Sequence, residues 1–395
     1  MLDPNYLQEI AESAAKIYDG INDWAVKDII QRLIKSDFQV SGTVEWRMKV
    51  MLESGKHYEE IIKEIALITK KAEKEVKEVF EEAGIKAIEY DDAIYRKAGL
   101  NPPSLLQSPR LLELMQTAYE GTLGELSNFT RTLAESSQKQ LIQTLDNTYF
   151  KVNSGMVGYN QAIKEAVAEI SKSGIYIDYP SGHRDTIETA VTRAIRTGVS
   201  QATARMQLAR MEEMGIDTVL VSAHMGARVG EGINNHFEWQ GKIYSLSGKS
   251  DKYPSFYEHT GYGKILGLCG INCRHHFSPY IEGVSHNPYS EFDNEKNEEM
   301  YKLTQKQRRL ERNIRATKRN LQGLDSAKES TGDEVTKFEL QMEYDKMALK
   351  LRKQNQAYKD FCKDNDLRTV NERLQIANWN RSQAMKAVQG AKRAE

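Results

Sequence analysis

Cys269, Cys273, His275 and His276 stand close together in one short stretch. Thiols and imidazoles at that density suit either a zinc site or a nucleophile with its base. The usual zinc framework is Cys-x2-Cys with a second ligand pair some way downstream, and this chain has neither. Buried structural cysteines are therefore the expected reading, with zinc held by Cys269, Cys273, His275 and His276 as the alternative. A Cys–His catalyst lacks an adjacent third group to orient the imidazole. His286 and Asn287 downstream give a faint His/Asn nuclease pattern. Further upstream, His224 has the chemistry of an acid/base and Arg228 that of an anion clamp. No carboxylate or nucleophile sits at a recognisable offset from either, so the expected role for both is to hydrogen-bond loop carbonyls and brace a turn.

The residues around these groups must shape a compact scaffold. Glycines at Gly261, Gly263, Gly267 and Gly270 imply positive φ, or another chain segment pressed against the backbone. Residues 272–278 read as a short strand with Cys273, His275 and Phe277 on one face and Arg274, His276 and Ser278 on the other. Residues 217–222, a β-branched run after Gly215, and residues 242–246 read as two more strands, giving a small three-stranded sheet. Glu238 and Trp239 are expected to pack and cap.

Three blocks in this region occur in a recognisable order: Ser222 to Arg228 (SAHMGAR), His236 to Tyr244 (HFEWQGKIY), and Gly261-Tyr262-Gly263 followed by Gly267 to His275 (GLCGINCRH). Their order and content resemble phage minor capsid protein 2, within the wider Mu F-like head-morphogenesis proteins. The motif residues carrying the resemblance are His224, Gly226, Arg228, Trp239, Gly241, Tyr262, Gly263, Gly267, Cys269, Gly270, Asn272, Cys273, Arg274 and His275. Ile271 stands where the family carries an aromatic, and His276 where a small polar residue is common. The resemblance implies a minor structural component of a bacteriophage virion, present in few copies and associated with the portal vertex. Portal and capsid proteins are then its partners, and host cytoplasm its location during assembly.

Composition sets outer limits. Lys and Arg total 55 against 56 Asp and Glu, so no global field favours nucleic acid or acidic substrates. A mean hydropathy of −0.62 predicts an elongated, largely helical molecule with much solvated surface. Three cysteines, one of them the lone Cys362, argue for a reducing compartment. The start, Met-Leu-Asp-Pro, shows no signal-peptide pattern, and no long apolar run suggests a membrane partner.

Taken in order, the chain divides into a helical region over 1–100, long helices over 104–215, a small α+β module over 216–290, and a helical hairpin with its tail over 293–395. The fold class is α-dominated α+β. Gly20 and Asn22 predict a helix break, and Gly84 a helix stop. Helices are expected over 44–53, 57–69, 71–83 and 183–215, with Asn101-Pro102-Pro103 as a linker. Arg184, Arg193, Arg196, Arg205 and Arg210 lie off the apolar stripe of the last of these and read as solvated surface. Beyond residue 293, apolar positions alternate by four and three on two arms joined near Gly332, the pattern of an antiparallel coiled coil. Lys302, Lys306, Arg308, Arg309, Arg312, Arg315, Lys318 and Arg319 make the first arm the most basic local patch, open to non-specific contact with packaged DNA or to a partner protein. Residues 381–395 are expected to fray.

Overall fold

The computed structural model describes residues 2–38, 42–289 and 293–395. In chain order it contains α1 (Pro4–Glu9), α2 (Glu12–Lys35), α3 (Thr43–Lys97), α4 (Pro109–Asn153), α5 (Tyr159–Ser173), β1 (Tyr176–Asp178), β2 (Arg184–Thr186), α6 (Ile187–Met214), β3 (Thr218–Val221), α7 (His236–Trp239), β4 (Ile243–Ser245), α8 (Phe256–Thr260), β5 (Phe277–Pro279), α9 (Asn294–Ser330), α10 (Glu334–Asp364) and α11 (Arg381–Arg393). The fold is α-dominated α+β, as expected. Among the described residues no helix is long and apolar enough to cross a membrane.

Asp3 starts α1 by accepting the backbone N–H groups of Asn5 and Tyr6, with Pro4 at the first helical position. Several expected helix breaks do not occur. Gly20 and Asn22 lie inside α2, and α3 runs unbroken through Gly55 and Gly84. No proline interrupts either segment, and Lys–Glu pairs such as Lys74–Glu78 and Lys77–Glu81 support α3 at helical spacing. A Cβ on Gly84 would lie 3.0 Å from Met115 Sδ and 3.3 Å from Met206 Cε. That glycine admits neighbouring side chains; it does not end the helix. The helix expected from residue 183 begins at Ile187, because Arg184–Thr186 pairs antiparallel with Tyr176–Asp178 in a hairpin.

Compactness groups the chain into two units. The first comprises Met1–Ala14, Glu73–Ser127 and Val191–Lys306, and the second Ala15–Ala72, Asn128–Ala190 and Gln307–Glu395. The first unit holds the three-stranded antiparallel sheet, in the order β4-β3-β5. Val219 pairs with Tyr244 on one side and Pro279 on the other. Val219, Val221, Tyr244, Phe256 and Phe277 pack with Ala204 and Met211 of α6 and Tyr95 of α3 in one buried core. Two arginines of α6 expected on solvated surface are internal here. Arg210 is fully buried, 3.3 Å from Asp92, and donates to the Pro103 carbonyl at 2.9 Å. Arg196 donates to the Leu7 carbonyl at 3.0 Å. Buried cations persist when carboxylates and carbonyls satisfy them.

In the second unit, Tyr358 reaches Glu311, Gln307 reaches Cys362, and Lys328 reaches Gln341. Positions advance along α9 as they recede along α10, which makes the pair an antiparallel helical hairpin. Residues 381–395 do not fray. Most of them form α11, whose Ala387, Gly390 and Ala391 are buried, and Arg393 grips Asp345 of α10 with two nitrogens at 2.7 and 2.9 Å. Small residues let α11 lie close to α10, and the bidentate pair holds it there.

Candidate functional site: a thiol–imidazole cluster in a glycine-rich loop

The loop between α8 and β5 is coiled by its glycines. Gly261 (φ 61°) and Gly263 (φ 87°) occupy the left-handed region. A Cβ on Gly267 would collide with the Gly261 carbonyl, and one on Gly270 with the Ile265 carbonyl. Both causes weighed for these glycines thus operate, and Gly261 combines them, since a Cβ there would lie 2.9 Å from Ile233 Cδ1. Cys269 (φ 58°) and Asn272 (φ 57°) are left-handed as well, at real conformational cost for the cysteine. These turns delay the strand read over 272–278, so β5 begins only at Phe277. The two-faced alternation fails with it: His276 and Ser278 are buried along with Cys273, His275 and Phe277. Ser222 ties the loop's end to β3, donating its N–H to the His276 carbonyl at 2.8 Å and accepting the His276 N–H at 2.9 Å.

This coiling brings His275 against residues from two other elements. Its ring stacks on His224 with centroids 4.4 Å apart and meets Trp239 edge-on at 4.8 Å and His236 at 5.3 Å. His275 Nε2 lies 2.9 Å from Gln240 Oε1, and His236 Nε2 lies 2.9 Å from the Leu266 carbonyl. An acceptor oxygen at each Nε2 makes that nitrogen the protonated one and leaves Nδ1 as a lone pair. Cys273 Sγ is 3.7 Å from His275 Nδ1. One donor atom each from His236, Cys273 and His275 lies within 4.8 Å of the others. His276, a ligand in the alternative zinc reading of the sequence, turns away to Thr203 Oγ1 at 2.8 Å. The Cys269 sulfur contacts the His275 carbonyl at 3.8 Å.

Burial governs the electrostatics. It pushes His236 down to about 4, His224 to about 3 and His276 to about 4, and holds His275 well below the ordinary imidazole range. It raises the Cys273 thiol to about 11 and the Cys269 thiol further. At neutral pH the imidazoles are uncharged and the thiols protonated. That is a poor state for a Cys–His nucleophile, which works as a thiolate.

The cations nearby act on backbone. Arg228 donates to the Ile271 carbonyl at 2.7 Å, and Arg274 to the Gly226 carbonyl at 3.3 Å. Asn287 donates to the Gly241 carbonyl at 2.9 Å and accepts the Tyr289 N–H at 3.0 Å. His286 is exposed. Trp239 donates to the Ile233 carbonyl at 3.1 Å, and Tyr262 packs on Phe256 and Phe277. His236 and Gln240 were the residues not singled out for chemistry. His236 opens α7 and Gln240 follows its last residue, so only their shared place in the HFEWQ block was an available signal.

The basic arm divides. Lys302 is exposed and pairs with Glu298; Lys306, Arg309 and Arg312 are exposed, and Arg308 is half-buried. Arg315 donates to the Arg373 carbonyl at 2.6 Å, and Lys318 to the Leu374 carbonyl at 2.6 Å. Burial, then Arg315, lowers Lys318 to about 8. Arg319 reaches Glu188 at 2.8 Å and Asp19 at 3.1 Å. Burial works against its charge, and the two carboxylates more than offset that.

The second unit holds another polar chain that the sequence did not advertise. His57 Nδ1 lies 2.6 Å from Asp28 Oδ2, and His57 Nε2 lies 2.7 Å from Ser137 Oγ. The order matches a Ser–His–Asp relay. Ser137 is fully buried within α4, however, so no substrate reaches its hydroxyl. The chain joins α2, α3 and α4 by satisfied buried polar groups.

Comparison with known proteins adds independent evidence. The profile of a family described as phage minor capsid protein 2 matches residues 2–363. A structural protein of Lactococcus phage LL-H is 24% identical over 309 residues, covering 74% of this chain and 81% of the relative. A structural protein of Lactococcus phage mv4 is 40% identical over 67 residues, covering 17% of this chain and 54% of that protein. No solved structure matches.

Proposed function

Given that the chain belongs to the phage minor capsid protein 2 family, and is thus a structural component of a phage virion, we propose that it docks to the portal. The observation behind this reading is a row of large apolar side chains on the first turns of α3. Val44, Met48, Met51 and Leu52 are 75%, 61%, 73% and 64% exposed. Their spacing puts them along one side of the helix, and a contiguous exposed apolar surface is characteristic of a protein interface. Methionine suits such a surface because it adapts to its partner. The glycine-rich module then acts as rigid architecture, with Arg228 and Arg274 bracing its loops.

Co-expression with the phage's portal protein tests this reading. The wild-type chain is expected to co-purify with portal rings, and a Met48→Asp/Met51→Asp variant to remain folded yet lose the association. Equal recovery of variant and wild type, or no association by either, removes the proposal. Contact with packaged DNA is a second reading, favoured by the exposed Arg309 and Arg312.

A further inference from the structure

We propose that His236, Cys273 and His275 form a zinc site within the glycine-rich module, distinct from the Cys269, Cys273, His275 and His276 set suggested by sequence proximity. Three observations converge on it. The donor atoms already lie within 4.8 Å of one another, although the residues come from α7 and from the loop before β5. A tetrahedral zinc with bonds of about 2.0–2.3 Å needs ligand atoms roughly 3.3–3.8 Å apart, so small side-chain rotations suffice. Cys273 Sγ and His275 Nδ1, at 3.7 Å, are at that separation now.

The second observation concerns orientation. Metal-bound histidines commonly donate their remote N–H to a carbonyl, which fixes the tautomer and turns the other lone pair inward. Both histidines have a carbonyl acceptor at Nε2, Leu266 O for His236 and Gln240 Oε1 for His275, which leaves Nδ1 as the nitrogen free to ligate. Gln240 Oε1 also accepts the His224 N–H at 3.0 Å, which fixes its amide orientation and hence its role as acceptor.

Third, His224 supplies an unused lone pair beside the set. Its Nδ1 lies 3.0 Å from the Met225 carbonyl, closer than the 3.2 Å to Arg274. With Nδ1 donating to the nearer Met225 carbonyl, Nε2 is the nitrogen that keeps the lone pair. Its Nε2 is buried without a hydrogen-bond partner, an arrangement that costs free energy unless something fills it. The ring lies stacked on His275, beside a donor set of one thiol and two imidazoles. Borderline-soft zinc(II) matches that set, whereas calcium and magnesium prefer oxygen. On binding, the Cys273 thiol releases its proton to solvent and ligates as thiolate, which offsets one charge of the ion near Arg228 and Arg274.

Full-length protein produced with zinc in the medium and purified without chelator would be assayed by elemental analysis, and chelator-stripped protein titrated with cobalt(II). Stoichiometric zinc and a near-ultraviolet thiolate-to-cobalt charge-transfer band are expected. Cys273→Ser is expected to abolish that band, and His236→Gln to weaken binding by at least about tenfold. The glutamine still offers an N–H to Leu266 but no ligating nitrogen, so this variant is the one expected to stay folded. Cys269→Ser and Cys362→Ser are expected to leave metal binding intact. Wild-type protein with neither zinc nor a cobalt band overturns the assignment. So does loss of metal in Cys269→Ser with retention in Cys273→Ser, or unchanged affinity in folded His236→Gln.

Discussion

Asp91 of α3 is fully buried, with Oδ2 accepting a hydrogen bond from Gln207 Nε2 at 2.7 Å and Oδ1 without a partner. Gln207 also donates to the Phe277 carbonyl at 3.0 Å, so this carboxyl indirectly supports the strand that ends the glycine-rich loop. Burial raises its pKa from 3.8 to about 8. In the unfolded chain Asp91 ionises near its ordinary value, so across this window the folded state binds more protons than the unfolded one. Stability from this group is therefore greatest below about pH 4, falls as pH rises, and levels off above about pH 8. Asp91→Asn removes the titration and keeps an acceptor for Gln207. Urea unfolding at pH 5 and pH 8 is expected to show the stability gap narrowing in the variant by on the order of 3 kcal/mol. An unchanged gap would show that the carboxyl is ionised in the folded protein. Asp91 illustrates what single residues conceal in a sequence. Cys269, Cys273, His275 and His276 announced themselves by type and proximity, but nothing local separated His275, which faces His236, from His276, which faces Thr203. The left-handed turns at Cys269 and Asn272 make that difference, and non-glycine residues in that conformation are rarely foreseeable.

At the scale of elements, close helix approach is set by small residues. A Cβ on Gly323 of α9 would collide with Ser171 Oγ of α5 and lie 3.2 Å from Ile30 Cδ1 of α2. Gly323→Ala should gain slightly in helix propensity and lose more through overpacking, by about 1–3 kcal/mol. Thermal unfolding is expected to show a lower Tm, partly restored by Ser171→Gly in the same chain. A Tm at or above wild type would mean that α5 and α9 have slack at this point. The same logic explains which elements were legible. The start of α4 at Pro109 and both ends of α5 were readable because proline, glycine and amphipathic spacing mark them locally. β3 was readable from a β-branched run, and β4 from Ile243 and Tyr244, both strand-favouring residues. Gly84 misled because a glycine that admits Met115 and Met206 looks the same in sequence as one that stops a helix. β2 was hidden because Arg184 and Asp185 have little intrinsic strand preference, and their pairing with β1 decides their state. α11 was hidden because its hold on α10 rests on alanine, glycine and one ion pair.

At the scale of the molecule, the balance of 55 basic against 56 acidic residues leaves any DNA contact to local patches. The eight cations of residues 302–319 once read as one such patch, but Arg315, Lys318 and Arg319 are held by carboxylates and carbonyls within their own unit. At most the other five can meet phosphates. Each neutralised phosphate contributes about −0.9 to the slope of log K against log salt, so eight would give a slope near −7 and five no steeper than about −4.5. Binding to random-sequence duplex DNA measured between 50 and 200 mM salt is expected to respect the shallower limit. Reversing Arg309 and Arg312 to glutamate should flatten it further, whereas Arg319→Gln should reduce folding stability, because it leaves the buried Asp19 without its cation. A slope near −7 in the folded protein would require Arg315, Lys318 and Arg319 all to leave their carboxylates and carbonyls and turn outward. In that case the basic segment would be a DNA-binding device that trades internal ion pairs for phosphates, and not a structural strut with a few exposed charges.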